Sequence, residues 1–289
     1  MRKAFFYAIT SALAFSIMNV FVKMLGQSMP AAEITFFRGL IGTVAVLGYM
    51  RLHHIQFSSN DRGLLTLRGI FGGIGNLLNF IAIAYMTLAN VSILFQLSGI
   101  FVFIFSTWFL KDPIPKGAGK WLWVILVAVA LLVKPWNYSD FHWYSLVAIG
   151  GAAFSAAAYT TIRSIAQRGH HSPYEIMFYF LVATMIVGGC LMGQGFVVPD
   201  LRESLIIIGI GAISVFAQFF MTGAFIATNA VVAQFLQYIG VFFNAFWGFA
   251  IFGENLTWFT VVAGVLMLLS SIMIAKLKEE QPVELSEKS

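Results

Sequence analysis

The sequence predicts an all-α integral membrane protein: ten transmembrane helices, arranged as two inverted five-helix repeats around a central cavity. Three observations carry that expectation. The composition is oily, ten apolar runs have the length needed to cross a bilayer, and the chain nearly repeats itself at a shift of about 140 residues.

The 289 residues are 60% hydrophobic and only 10% charged, with a mean hydropathy of +0.87. Soluble domains carry about 25% charged residues, and a chain of this length in water would be left with large exposed apolar patches. Its solvent is therefore lipid. The single cysteine, Cys190, forms no internal disulfide. The start imitates a signal peptide, with Arg2-Lys3 and then Ala12-Leu13-Ala14, but hydrophobicity continues to Leu25. A retained first span fits that pattern better than a cleaved leader.

The spans fall in order at about 4–24, 31–51, 64–86, 88–110, 120–134, 142–164, 174–193, 205–226, 229–252 and 257–276. Short polar or Pro/Gly-bearing breaks separate them, and the fifth is the shortest. If they alternate, Arg2, Lys3, Arg51, Arg62, Arg68, Lys111, Lys116, Lys120, Arg163, Arg168, Lys276 and Lys278 share one side. Lys23, Lys134 and Arg202 fall on the other. That bias predicts both termini in the cytoplasm, and it makes the net charge of +5 a topology signal rather than a nucleic-acid footprint. Tryptophans 108, 121, 123, 136, 143 and 258 sit near span ends, as an interfacial belt would. Residues 277–289 read as a disordered cytoplasmic tail.

The repeat pairs Ala14-Phe15-Ser16 with Ala153-Phe154-Ser155, and Glu33-Ile34 with Glu175-Ile176. At the latter shift Phe101 meets Phe243, and Asp112-Pro113-Ile114 meets Glu254-Asn255-Leu256. Five spans per copy is an odd number, so the second copy inserts upside down. The boundaries that follow are 1–134 for the first repeat and 142–276 for the second. Inverted repeats are the architecture of secondary transporters, with the solute site near the midplane between the halves.

The stretch AIAYMTLANVSILFQLSGIFVFIFSTWFLKDPI, residues 82–114, resembles the signature of the drug/metabolite transporter superfamily, EamA type. Its partner AFIATNAVVAQFLQYIGVFFNAFWGFAIFGENL keeps the terminal Gly253-Glu254. The arginines of Phe36-Phe37-Arg38-Gly39 and Leu67-Arg68-Gly69, and the run Gln237-Tyr238-Ile239-Gly240, are also similar to that family. Two departures stand out: Gly99 and Val241 occupy the usual proline positions, and Asp112 replaces the usual glutamate. The resemblance implies ten helices around a cavity and alternating access, and it leaves the substrate open. The crossing YMTLANVS looks similar to members taking up S-adenosylmethionine-like compounds. Amino acids, and riboflavin-type vitamins as an alternative, stay within the same resemblance.

Lipid offers polar side chains no partners, so they turn toward the bundle or a wet cavity. Helical spacing groups Ser16, Asn19 and Lys23; Asn76 and Asn79; Ser92 and Gln96; and Ser214, Gln218 and Thr222. The ninth span carries Gln234, Gln237, Tyr238 and Asn244, and Tyr159 projects from the sixth. The cavity candidates are Asn19, Arg38, Asn76, Asn79, Gln96, Tyr159, Gln218, Gln237 and Tyr238. Their amides both donate and accept, which suits a neutral or zwitterionic solute. Interhelical hydrogen bonding alone is the rival role for each. Gly69-x-x-x-Gly73 and Gly189-x-x-x-Gly193 read as close-packing motifs.

Arg38 lies about 10 Å inside the outer end of its span, at 1.5 Å per residue. It snorkels, gates the outer mouth or engages an anionic group, while its counterpart in the second repeat is Phe180. Lys23 is a candidate partner for Glu33. Glu33, Asp112, Glu175 and Glu254 all fall near span ends, and none sits at mid-membrane as a proton relay would. All five histidines lie in or beside loops, and no HExxH or GxSxG is present, which excludes the familiar membrane hydrolase chemistries. No charged ring marks a channel filter. The expected partners are a small-molecule solute and the bilayer, with no cofactor, metal or nucleic acid. A homodimer is compatible with the sequence.

Overall fold

The computed structural model describes residues 2–58, 60–109, 117–133, 142–169, 171–193 and 196–280. These form α1 (Arg2–Leu25), α2 (Ala31–Leu52), α3 (Arg62–Tyr85), α4 (Leu88–Phe95), α5 (Ser98–Phe109) and α6 (Ala118–Val133). The second half forms α7 (Trp143–Arg168), α8 (Pro173–Leu191), α9 (Leu201–Ala227), α10 (Ala230–Leu236), α11 (Gly240–Phe252) and α12 (Trp258–Glu280). Among the described residues there is no strand. Among those residues eight stretches are long and apolar enough to cross a membrane, counting α4–α5 and α10–α11 as one each, and α6 and α12 supply two shorter apolar segments. Helix α12 runs through Glu280, so the tail expected to be disordered from 277 begins as helix.

Local chemistry explains where the helices start. Ser172 caps α8 by accepting from the Glu175 amide, with Pro173 at the first helical position, where its missing N–H costs nothing. Asp200 and Glu203 form a reciprocal capping box on α9. Thr87 and Asn229, which are 142 positions apart, cap α4 and α10, accepting from the Asn90 and Val231 amides respectively.

The fourth and ninth spans are each broken near their middle. Around Gln96 the amides shift from α-helical to tighter partners: Leu97 donates to the Leu94 carbonyl and Gly99 to that of Gln96. In the ninth span residues 237–239 form a 3₁₀ turn. Neither break contains proline, so the resemblance's missing proline does not abolish the bend. The two breaks brace each other instead: Tyr238 donates its hydroxyl proton to the Gln96 carbonyl, and Gln234 Nε2 donates to Ser98 Oγ at 2.7 Å.

The halves are interleaved. Helix α1 packs on α9 and α3 on α7, an exchange expected if each helix of one repeat stands for its counterpart in the other. Helix α2 packs on α8 and α6 on α12, each against its own counterpart. The broken spans cross antiparallel, α4 on α11 and α5 on α10. Glycines permit the tightest of these contacts. A Cβ on Gly39 of α2 would strike the Met185 backbone nitrogen, and one on Gly188 of α8 would come within 2.5 Å of the Phe36 nitrogen. Gly69 and Gly73 admit α8 against α3 as expected, whereas Gly193 lies past the end of α8, where a Cβ would meet none of the described residues. The second glycine motif is therefore replaced by Gly188. Phe242, Phe246 and Phe249 project outward along α11, where lipid would cover them.

Candidate functional site: a polar cavity between the repeats

Helices α1, α2, α3, α4, α7, α8, α9, α10 and α11 line a cavity with about 930 Å³ of empty space, counting the solvent at its opening. Asn19, Arg38, Asn76, Asn79, Gln96, Tyr159, Gln218 and Gln237 all line it, so eight of the nine polar candidates share one surface. Tyr238 does not line it. Its ring is buried edge-on against Phe235, and its hydroxyl is spent on the Gln96 carbonyl. It is a brace for the helix break, not a cavity wall.

Two arginines dominate the electrostatics. Arg38, only 2% exposed, turns inward from α2, so it does not snorkel, and its Nε donates to Ser214 Oγ at 2.6 Å. Arg68 is 1% exposed and lines the same cavity, although charge counting along the sequence placed it with the cytoplasmic loop residues. It stands one and a half turns inside α3, too deep to act as a loop charge. Both guanidiniums lie over the Phe180 ring, at 5.4 Å for Arg38 and 4.4 Å for Arg68. The two charges are thus within about 10 Å of each other, a repulsion of about 2 kcal/mol at an effective dielectric constant of 20. None of the described residues lining the cavity is a carboxylate.

The amides form a second polar region. Asn19 Nδ2 donates to Asn244 Oδ1 at 3.0 Å, and Asn244 Nδ2 donates in turn to Ser92 Oγ and the Gly240 carbonyl. Asn76 and Gln218, which are 142 positions apart, face the cavity from α3 and α9 as repeat counterparts. Sequence spacing had grouped Ser92, Gln234 and Asn244 with these, and all three line the cavity. Phe15, Phe95 and Tyr159 supply aromatic wall, and Tyr159 is held by stacking on Phe225 at 4.8 Å.

The carboxylates near span ends are structural. Glu254 pairs with Lys23, not Glu33 with Lys23 as expected, and Glu254 Oε2 accepts from the Leu88 amide at 2.9 Å. Glu33 accepts from the Val197 amide and Glu175 from the Ser58 amide, reciprocal contacts between one repeat's helix start and the other's loop. The expected pairing of Asp112 with Lys111 lies outside the described residues. Among the described residues no group of histidine, cysteine and acidic side chains has the arrangement of a metal site.

The EamA-like transporter family matches residues 2–134 and 143–276, two copies covering nearly the whole chain. The chain belongs to this family. It is a multi-pass membrane transporter of the drug/metabolite type, not an enzyme. The pseudopaline exporter CntI of Pseudomonas aeruginosa is 37% identical over 273 residues, covering 94% of this chain and 95% of the relative. The riboflavin transporter of Vibrio cholerae is 24% identical, covering 86% of this chain and 84% of the relative. Human solute carrier family 35 member G1 is 24% identical, covering 92% and 77%. A solved crystal structure superposes with a TM-score of 0.71 over 98% of this EamA-like chain and all of the other, at 14% identity, which speaks to the fold alone.

Proposed function

We propose that this EamA-like protein is a secondary carrier that exports a small polar metabolite across a bacterial inner membrane by alternating access, with both termini in the cytoplasm. The observation that carries the reading is a cavity walled jointly by both repeats, with amide side chains from each half meeting where Asn19 bonds Asn244. A site on that seam is the one place where rocking one half against the other changes access without dismantling the walls. Domain limits at 1–134 and 142–276 fit such a motion. Export is favoured by the similarity to the pseudopaline exporter, which covers nearly all of both chains.

The substrate class is polar, because amides and guanidiniums line the cavity from both repeats and need acceptors and donors from what they bind. A riboflavin-type solute is a second reading, favoured by the aromatic wall of Phe15, Phe95 and Tyr159 and by the more distant riboflavin transporters. Counterflow in proteoliposomes separates the possibilities. Vesicles preloaded with pseudopaline, glutamate or riboflavin are expected to accelerate entry of the same labelled solute in one case. A channel shows no such trans-stimulation, and its absence for every solute sinks the carrier reading.

A further inference from the structure

Building on the carrier reading, we propose that Arg38 and Arg68 form an anion subsite that binds a carboxylate-bearing solute, with Phe180 as the platform that holds both guanidiniums in place. The cavity has two fixed positive charges and no carboxylate among its described lining residues. Bringing arginine into a membrane interior is costly, and such residues usually find an acid or line a functional path. Arg38 Nε donates to a serine hydroxyl, and Arg68 Nε and Nη1 find no acceptor among the described residues.

The aromatic contacts explain how the charges persist. Phe180 lies under both guanidiniums, and Phe80 and Phe15 lie 5.5 and 6.0 Å from Arg38. A ring face attracts a cation without neutralising it, and a guanidinium held over a ring keeps its in-plane donors free. An acidic partner would occupy that fork permanently, whereas phenylalanine leaves it available for a planar carboxylate. The Asn76 Nδ2, Gln218 Nε2 and Gln237 Nε2 donors also lack acceptors among the described residues, so the surplus of donors continues past the arginines. The ligand that fits is anionic at one end and rich in acceptors along its length. An S-adenosylmethionine-like compound answers the guanidiniums only with its amino-acid carboxylate while its sulfonium meets like charge, and neutral riboflavin leaves both unanswered.

The test is thermal unfolding of the purified full-length protein with malate, citrate, glutamate and pseudopaline at constant ionic strength. Dimethyl malate and riboflavin serve as the uncharged controls. At least one carboxylate is expected to raise the melting temperature, with apparent binding about tenfold weaker or worse in Arg38→Gln and in Arg68→Gln, and no shift in the double variant. If a glutamine variant does not fold, the wild-type contrast decides: malate that protects no better than its dimethyl ester overturns the proposal. So does the absence of any carboxylate shift in the wild type, or an equal shift in the double variant. Failure of the carrier reading looks different. A carboxylate that protects through the arginines but gives no counterflow leaves the subsite standing and removes transport.

Discussion

Arg38 and Phe180 occupy equivalent positions in the two repeats, and α2 packs on α8, so the duplication brings each to the other across the pseudo-twofold axis. Two arginines there would collide and repel, which accounts for arginine on one side and an aromatic face on the other. Tyr238 illustrates the opposite case, a polar residue whose hydroxyl holds backbone. Tyr238→Phe is expected to cost about 1 kcal/mol, read by unfolding in detergent, while leaving solute affinity nearly unchanged. Gly99→Val is expected to cost about 1–3 kcal/mol, because even a Cβ there strikes the Tyr238 hydroxyl. Eight cavity residues were legible in the sequence because polar side chains inside an apolar run have only the interior to face. Tyr238 was not separable from them, since helical spacing gives a direction and not a partner. Arg68 was hidden by its closeness to the loop at residues 53–61, where sequence alone spends a cation on topology.

Two cations clamp opposite ends of the bundle. Lys23 on α1 donates to the Met86 carbonyl at 2.7 Å, beyond the end of α3. Arg163 on α7 donates to the Ile226 carbonyl at 3.2 Å, near the end of α9. The two donors are 140 positions apart and each mouth carries one such bond, although the acceptors are not exact counterparts: the shift of 142 that pairs Thr87 with Asn229 sets Met86 against Thr228. At the Lys23 end the clamp extends through Glu254 to the first amide of α4, helped by the left-handed Gly253 that turns the chain after α11. Both side chains of this pair are largely buried. Lys23→Met and Glu254→Gln are each expected to destabilise, the former by about 3 kcal/mol because it strands a carboxylate. The double variant is expected to lose less than the sum, and a double-mutant cycle on melting data measures the difference. The ten spans were legible as elements, from length and hydropathy. The breaks in the fourth and ninth were not, because no proline marks them and their cause is the other repeat's side chains. The carboxylate pairing was misassigned for a similar reason: Glu33 is nearer Lys23 in sequence, but only the fold brings Glu254 beside it.

Across the molecule, acidic groups cap helices and loops at the membrane faces, and the described cavity wall contains none. Uptake or efflux in proteoliposomes is therefore expected to depend little on an imposed pH gradient, and strong accumulation driven by that gradient would contradict it. The interleaving of the repeats has a consequence for how the protein is made. The main contacts of α1, α2, α3 and α6 are with partners synthesised later, so the first five spans enter the bilayer before the surfaces that bury their polar faces exist. The amino-terminal half must wait in the membrane with its two arginines lacking Ser214 and Phe180 until translation delivers α7 to α12. Severing the chain between residues 134 and 142 is accordingly expected to give two fragments that are degraded when made singly and protected when made together, a difference that pulse-chase labelling would follow directly.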